Sequence, residues 1–62
     1  MDEYKIGDRF RRKNTKDTVP LEIISKYYEP HEIVYELKPI LGCGNKIMYG
    51  QEGLEELFYK LR

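Results

Sequence analysis

The alternation of apolar and polar positions along the chain predicts four short antiparallel β-strands. Valine, isoleucine, tyrosine and phenylalanine, which favour strands, concentrate in stretches that turn-forming residues separate. In the first stretch, Phe10 lies between Arg9 and Arg11, so period-two alternation places Phe10 on one face and both arginines on the other. This stretch follows a turn at Gly7-Asp8, and the other strands are expected in LEIISKYY at 21–28, EIVYELKP at 32–39 and KIMY at 46–49. Alternation in EIVYELKP places Ile33, Tyr35 and Leu37 on one face.

The period changes in the tail, GQEGLEELFYKLR, where apolar residues spaced i, i+3, i+4 and i+7 define one face of an α-helix. These residues are Leu54, Leu57, Phe58 and Leu61. A helix of about ten residues is marginal alone in water, so we expect it to dock on the sheet, and Leu57→Ala to cost about 2–4 kcal/mol. The pattern as a whole predicts a mainly β protein with one C-terminal helix, in which about four strands curl into a small, partly open antiparallel barrel.

Length and composition restrict the possibilities further. The 62 residues allow one domain, 1–62, with a small core. One cysteine excludes an internal disulfide, and one cysteine with one histidine is too few for a structural zinc site, so we expect neither metal nor cofactor. No apolar run is long enough to span a membrane, and the start MDEYKIGDRF lacks the pattern of a signal peptide. A cytoplasmic location is therefore expected.

The stretches YKIGDRFRRK, LEIISKYY, IVYELKP and KIMYGQEGLEELFYKL together resemble small SH3-like barrel proteins of Gram-positive bacteria and their phages. In these proteins a GD turn leads into the first strand and an LEELF helix follows the last. The resemblance implies a single SH3-like domain and carries no catalytic residue. SH3 domains that bind proline-rich peptides have a tryptophan in their groove, and this chain has none, which argues against that ligand.

Cys43, between Gly42 and Gly44, is the residue that most invites a catalytic interpretation. A nucleophilic thiol needs a neighbouring base or a helix N-terminus to lower its pKa. His31 is the one histidine of the chain, and it lies in a different predicted turn. We therefore interpret Cys43 as a small residue at the tip of a loop between two strands, and we expect no enzymatic activity.

Charge is unevenly distributed along a chain whose formal net charge is zero. Six basic residues fall between positions 5 and 16, namely Lys5, Arg9, Arg11, Arg12, Lys13 and Lys16. One hypothesis is a basic edge that binds nucleic acid, with phosphates contacted by Arg9, Arg11, Arg12 and Lys13 and a base stacked on Tyr28. The zero net charge argues against it, and a run of charge can instead protect an edge strand from aggregation.

Six tyrosines favour a different hypothesis, a protein-binding module, because tyrosine is enriched at interface hot spots. Most tyrosines are expected to cap the core with their hydroxyls in water, but alternation places Tyr28 beside Lys26 and Glu22 on a partly charged face. We predict that this face contacts a protein partner. Such a module could be a phage or mobile-element product that inhibits a host factor.

A small core and an open sheet edge also favour a homodimer.

Overall fold

The computed structural model describes residues 3–14, 19–42 and 44–61, so Lys16 and the prediction for Cys43 lie outside the described residues. The elements in chain order are β1 (Arg9–Arg12), β2 (Leu21–Tyr28), β3 (Ile33–Pro39), β4 (Ile47–Gly50), α1 (Gln51–Leu57) and β5 (Phe58–Lys60). The mainly β class with one short helix towards the C-terminus is confirmed. Within the described ranges, no helix has the length and apolar character needed to cross a membrane.

The strands form one antiparallel sheet in the order β4-β3-β2-β1-β5, curled into a half-barrel. The last strand returns beside the first, and α1 connects the two edge strands β4 and β5 and packs on both. The rings of Tyr49 on β4 and Phe58 on β5 pack in a T-shaped, edge-on arrangement with centroids 5.3 Å apart. The expected partly open barrel is therefore present, with five strands instead of four.

The fifth strand replaces the second half of the predicted helix. α1 ends at Leu57, and Phe58 has extended backbone with φ −130° and ψ 162°. In this conformation β5 pairs with the side of β1 that β2 leaves free, which satisfies backbone groups that would otherwise lack partners. The helical interpretation of residues 58–61 is thus wrong. Leu57, at 38% exposed, is not the core residue that the spacing predicted.

A β-bulge interrupts β2 at Ile24. Ile23 pairs with Leu37, whereas Ser25 pairs with Glu36, so β2 has one more residue than β3 at this point. The extra residue reverses the alternation of faces for the rest of the strand. Lys26 consequently pairs with the buried Tyr35 and lies on the core side of the sheet.

The core is small and combines residues from the strands and the helix. Tyr35 and Leu37 alternate inward from β3, as predicted, and Phe10 does so from β1. Tyr4, Leu21, Ile33, Ile47 and Tyr49 pack around its margin. The fully buried members are Phe10, Ile23, Tyr35, Leu37, Leu54 and Phe58.

The predicted turn before β1 is confirmed and directs the N-terminal segment across the core. Gly7 has φ 101°, a conformation that residues with a side chain rarely adopt, and its N–H donates to the carbonyl oxygen of Ile23 at 2.9 Å. Asp8 closes the turn, since its N–H donates to the Lys5 carbonyl at 3.0 Å and its Oδ2 accepts from the Lys5 N–H at 2.9 Å. Tyr4 is thereby brought onto the core beside Phe10, with ring centroids 4.8 Å apart.

Candidate functional site

Tyr28, at the end of β2, is one of the most exposed large hydrophobic side chains in the described part of the chain, with 68% of its surface accessible. Its hydroxyl donates a hydrogen bond to Glu3 Oε2 at 2.9 Å, and Lys26 Nζ lies 5.6 Å from its ring centroid. An exposed aromatic ring held by two contacts loses less conformational freedom on binding than a free one. Tyr28 is therefore suited to contact another molecule.

Lys26 links Tyr28 to the N-terminal segment. Its Nζ forms a 2.9 Å ion pair with Glu3 Oε2 and donates a 2.9 Å hydrogen bond to the carbonyl oxygen of Tyr4. The hydrogen bonds from Lys26 and then Tyr28 lower the pKa of Glu3 below its ordinary value, and the bond to Glu3 raises the pKa of Lys26. The three side chains form one charge-compensated cluster on the surface.

The third residue of the predicted site, Glu22, lies elsewhere. The bulge separates it from Lys26 and Tyr28, which lie on the core side of the sheet beyond Ile24. Glu22 lies on the opposite face, where its Oε1 pairs with Arg9 Nε at 3.2 Å. The structure thus brings together Tyr28 and Lys26 but not Glu22, and it adds Glu3, which the sequence analysis did not identify.

A closed ring of hydrogen bonds anchors the segment that carries Glu3. The Tyr4 N–H donates to the Tyr35 hydroxyl at 3.0 Å, and that hydroxyl donates to Gln51 Oε1. Gln51 Nε2 donates to Glu55 Oε2 at 3.4 Å, and the same carboxylate oxygen accepts from the Tyr4 hydroxyl at 3.1 Å. The ring joins the N-terminal segment to β3 and α1. Glu3 is consequently held where it can orient Tyr28.

Burial also affects the acidity of the two tyrosines in this ring. Desolvation is the main cause that raises the pKa of both hydroxyls above 10.0, and for Tyr4 the hydrogen bond to Glu55 adds to it. Both hydroxyls are therefore neutral and able to donate hydrogen bonds at physiological pH.

A groove of about 490 Å³ opens beside the Tyr28 cluster, and we call it the acidic groove. The β2–β3 turn forms one wall and the start of α1 another, while Ile33, the cross-strand partner of Tyr28, contributes apolar surface. Gly50 allows the walls to approach, because a Cβ at that position would lie 1.9 Å from Glu32 Oε1. The lining residues are Glu3, His31, Glu32, Ile33, Gln51 and Glu52.

No sequence spacing indicated this groove, because its walls come from three separated parts of the chain. Among the described residues, no group of three or more histidine, aspartate or glutamate side chains is arranged to hold a metal ion.

The strand that carries Arg9, Arg11 and Arg12 of the predicted basic edge, β1, lies between β2 and β5 in the sheet. Two of these arginines contact different partners. Arg9 pairs with Glu22, whereas the Arg12 guanidinium lies 5.1 Å from the Phe58 ring centroid and donates to the Tyr49 hydroxyl at 3.4 Å.

The other two basic residues proposed to contact phosphates are also engaged or partly covered. Lys13 Nζ donates to the carbonyl oxygen of Glu55 at 2.9 Å. Arg11 is half-buried, and within the described ranges its buried Nε has no hydrogen-bond partner. Nucleic-acid binding through these four residues stays a prediction.

Comparison of the chain with protein-family models, with curated proteins and with solved structures found no match. The class of protein is therefore defined by the fold and the site. It is a small antiparallel half-barrel with an anchored, exposed tyrosine beside an acidic groove.

Proposed function

We propose that this protein is a small binding module without enzymatic activity, which binds a protein partner through the surface around Tyr28. The observation that carries the proposal is that Tyr28 is exposed and at the same time fixed by Glu3 and Lys26. Rigid, amphipathic aromatic side chains supply much of the binding energy at protein interfaces. A tyrosine side chain that is already oriented loses less conformational entropy when it binds.

We also propose that the half-barrel belongs to the SH3-like class. Supporting this assignment, the last strand pairs with the first, so the sheet curls towards closure around one small core. Binding surfaces vary on folds of this size while the core pattern stays the same, so the function has to be argued from the surface.

Capture of partners by the tagged protein from a Gram-positive bacterial lysate, followed by mass spectrometry, tests the proposal. The wild type is compared with Tyr28→Ala and with Tyr27→Ala, a neighbouring exposed tyrosine that alternation places on the other face. We expect one protein to be retained by the wild type and the Tyr27 variant and lost with the Tyr28 variant. Circular dichroism establishes that each variant is folded.

Washes at low and high salt, with and without nuclease, separate this function from nucleic-acid binding. A contact centred on tyrosine should resist salt, whereas binding to phosphates weakens steeply as salt increases. Recovery of mixed nucleic acid that disappears at high salt would contradict the proposal. Retention of the same protein by the Tyr28 variant would also contradict it.

A further inference from the structure

We infer that the acidic groove accepts a lysine or arginine side chain from the partner protein. This inference rests on the proposed function and names the chemistry of the partner segment that lies next to Tyr28. Three observations support it: the charge of the groove, its apolar wall, and an internal lysine that is already bound in a similar environment.

The groove has more negative charge than the protein itself compensates. Glu3 is paired with Lys26 at 2.9 Å. The carboxylates of Glu32 and Glu52 also line the groove, and in the described part of the chain neither forms an ion pair or a side-chain hydrogen bond. A cationic side chain would complement these two carboxylates, while an anionic one would be repelled.

The groove also offers surface for an aliphatic stem. Ile33 lies in its wall and packs against the core, so it is held in place. Lysine and arginine combine a long apolar stem with a charged end, and they bury the stem along apolar surface while the charge contacts polar groups. A volume of about 490 Å³ is sufficient for such a side chain.

Lys26 provides an internal example of this recognition. Its ammonium group lies 2.9 Å from a Glu3 carboxylate oxygen and 5.6 Å from the centroid of the Tyr28 ring. The combination of a carboxylate and an aromatic face is favourable for a cation. The acidic groove shares one of these elements, because Glu3 lines it, and Tyr28 is the cross-strand neighbour of Ile33 in its wall.

A nuclear magnetic resonance titration of the isotope-labelled full chain tests the inference. The probes are the blocked tripeptides Gly-Lys-Gly and Gly-Arg-Gly, with Gly-Glu-Gly and Gly-norleucine-Gly as controls for charge and for the aliphatic stem. We expect saturable shifts of the Ile33, Gln51 and Glu52 amide signals with the basic peptides, and much smaller shifts with the two controls.

Variants identify the groups responsible. Glu32→Gln combined with Glu52→Gln should weaken binding of the lysine peptide about tenfold, since two charge interactions are removed. Glu56→Gln, at an exposed position of α1 outside the groove, is the matched control and should bind as the wild type does. Equal shifts from the norleucine and lysine peptides would overturn the inference. Unchanged binding by the double variant would overturn it as well.

Capture of the partner by the variants tests this inference separately from the protein-binding function on which it rests. Loss of the partner with Tyr28→Ala, but full retention with the Glu32 and Glu52 double variant, would overturn the inference and leave the protein-binding function supported. Retention of the partner by the Tyr28 variant would refute the function itself.

Discussion

Leu54 and Leu57 allow a direct test of where the helix ends. Both are leucines of α1, but Leu54 is fully buried and Leu57 is 38% exposed. Leu54→Ala removes buried methyl groups and leaves a cavity, which costs about 2–5 kcal/mol. Leu57→Ala removes surface that is already partly in water, so we expect a loss of about 1 kcal/mol. The substitution is the same in both variants, and its effect on helix propensity is small because leucine and alanine are both good helix formers.

The difference is large compared with the stability of the protein. At the usual stability per residue, a chain of 62 residues has a free energy of unfolding of roughly 3–9 kcal/mol. Leu54→Ala could therefore remove most of the stability, whereas Leu57→Ala should leave a folded protein. This expectation for Leu57 replaces the larger loss that the helical spacing predicted.

Equilibrium unfolding in urea measures both free energies. It can be followed by far-ultraviolet circular dichroism and by tyrosine fluorescence, because the chain has no tryptophan. If Leu54→Ala is unfolded in water, an osmolyte that favours compact states restores a measurable transition. Equal losses for the two variants would refute the reasoning, because they would indicate that the helix continues and buries Leu57 as fully as Leu54.

Three further predictions concern Glu3, Tyr4 and the β-bulge at Ile24. The folded state lowers the pKa of Glu3 below 4.5, so the ionised Glu3 side chain stabilises the fold above pH 4.5, and this stabilisation is lost as the pH falls through the lowered pKa. In acid, the urea midpoint of the wild type should therefore fall more steeply with decreasing pH than that of Glu3→Gln. Equal slopes would contradict this. The folded state raises the pKa of Tyr4 above 10.0, so as the pH rises the Tyr4 hydroxyl loses its proton in the unfolded chain first, which destabilises the fold. Above pH 10.0 the stability of the wild type should therefore fall more steeply with pH than that of Tyr4→Phe. Urea midpoints in alkaline buffers measure this difference, and parallel curves for the two proteins would contradict the raised pKa of Tyr4. Deletion of Ile24, the bulge residue without a partner on β3, leaves Ile23 and Lys26 two positions apart and both on the core side, so we expect thermal unfolding to show a loss of only about 1 kcal/mol, from the half-buried Ile24 side chain. A loss of several kcal/mol would contradict this reasoning and show that the bulge geometry itself stabilises the fold.

The sequence was most informative where one face of a regular element is buried. Alternation in β3 correctly placed Tyr35 and Leu37 inward, and the extent of β2 was predicted to the residue. The Gly7-Asp8 turn was recognised because glycine is required for its positive φ. Local chemistry was sufficient in these cases.

The two main errors occurred where local patterns are ambiguous. Phe58 fits the apolar face of a helix and the inward face of a strand equally well. It is in a strand because β5 pairs with the side of β1 that β2 leaves free. At Ile24 a simple alternation of period two could not reveal an inserted residue, so it assigned Tyr28 and Glu22 to one face. Pairing with a distant strand resolves both ambiguities.

The sequence by itself determined the class of fold, the identity of most core residues and the presence of an exposed tyrosine at the end of β2, because these depend on hydrophobic periodicity and turn chemistry. Tertiary structure alone decided the candidate site. Glu3, Lys26 and Tyr28 meet because the bulge reverses the face of β2 and because the hydrogen-bond ring at Tyr4 anchors the N-terminal segment. The walls of the acidic groove are far apart in the chain, and only long-range strand pairing and helix docking bring them together.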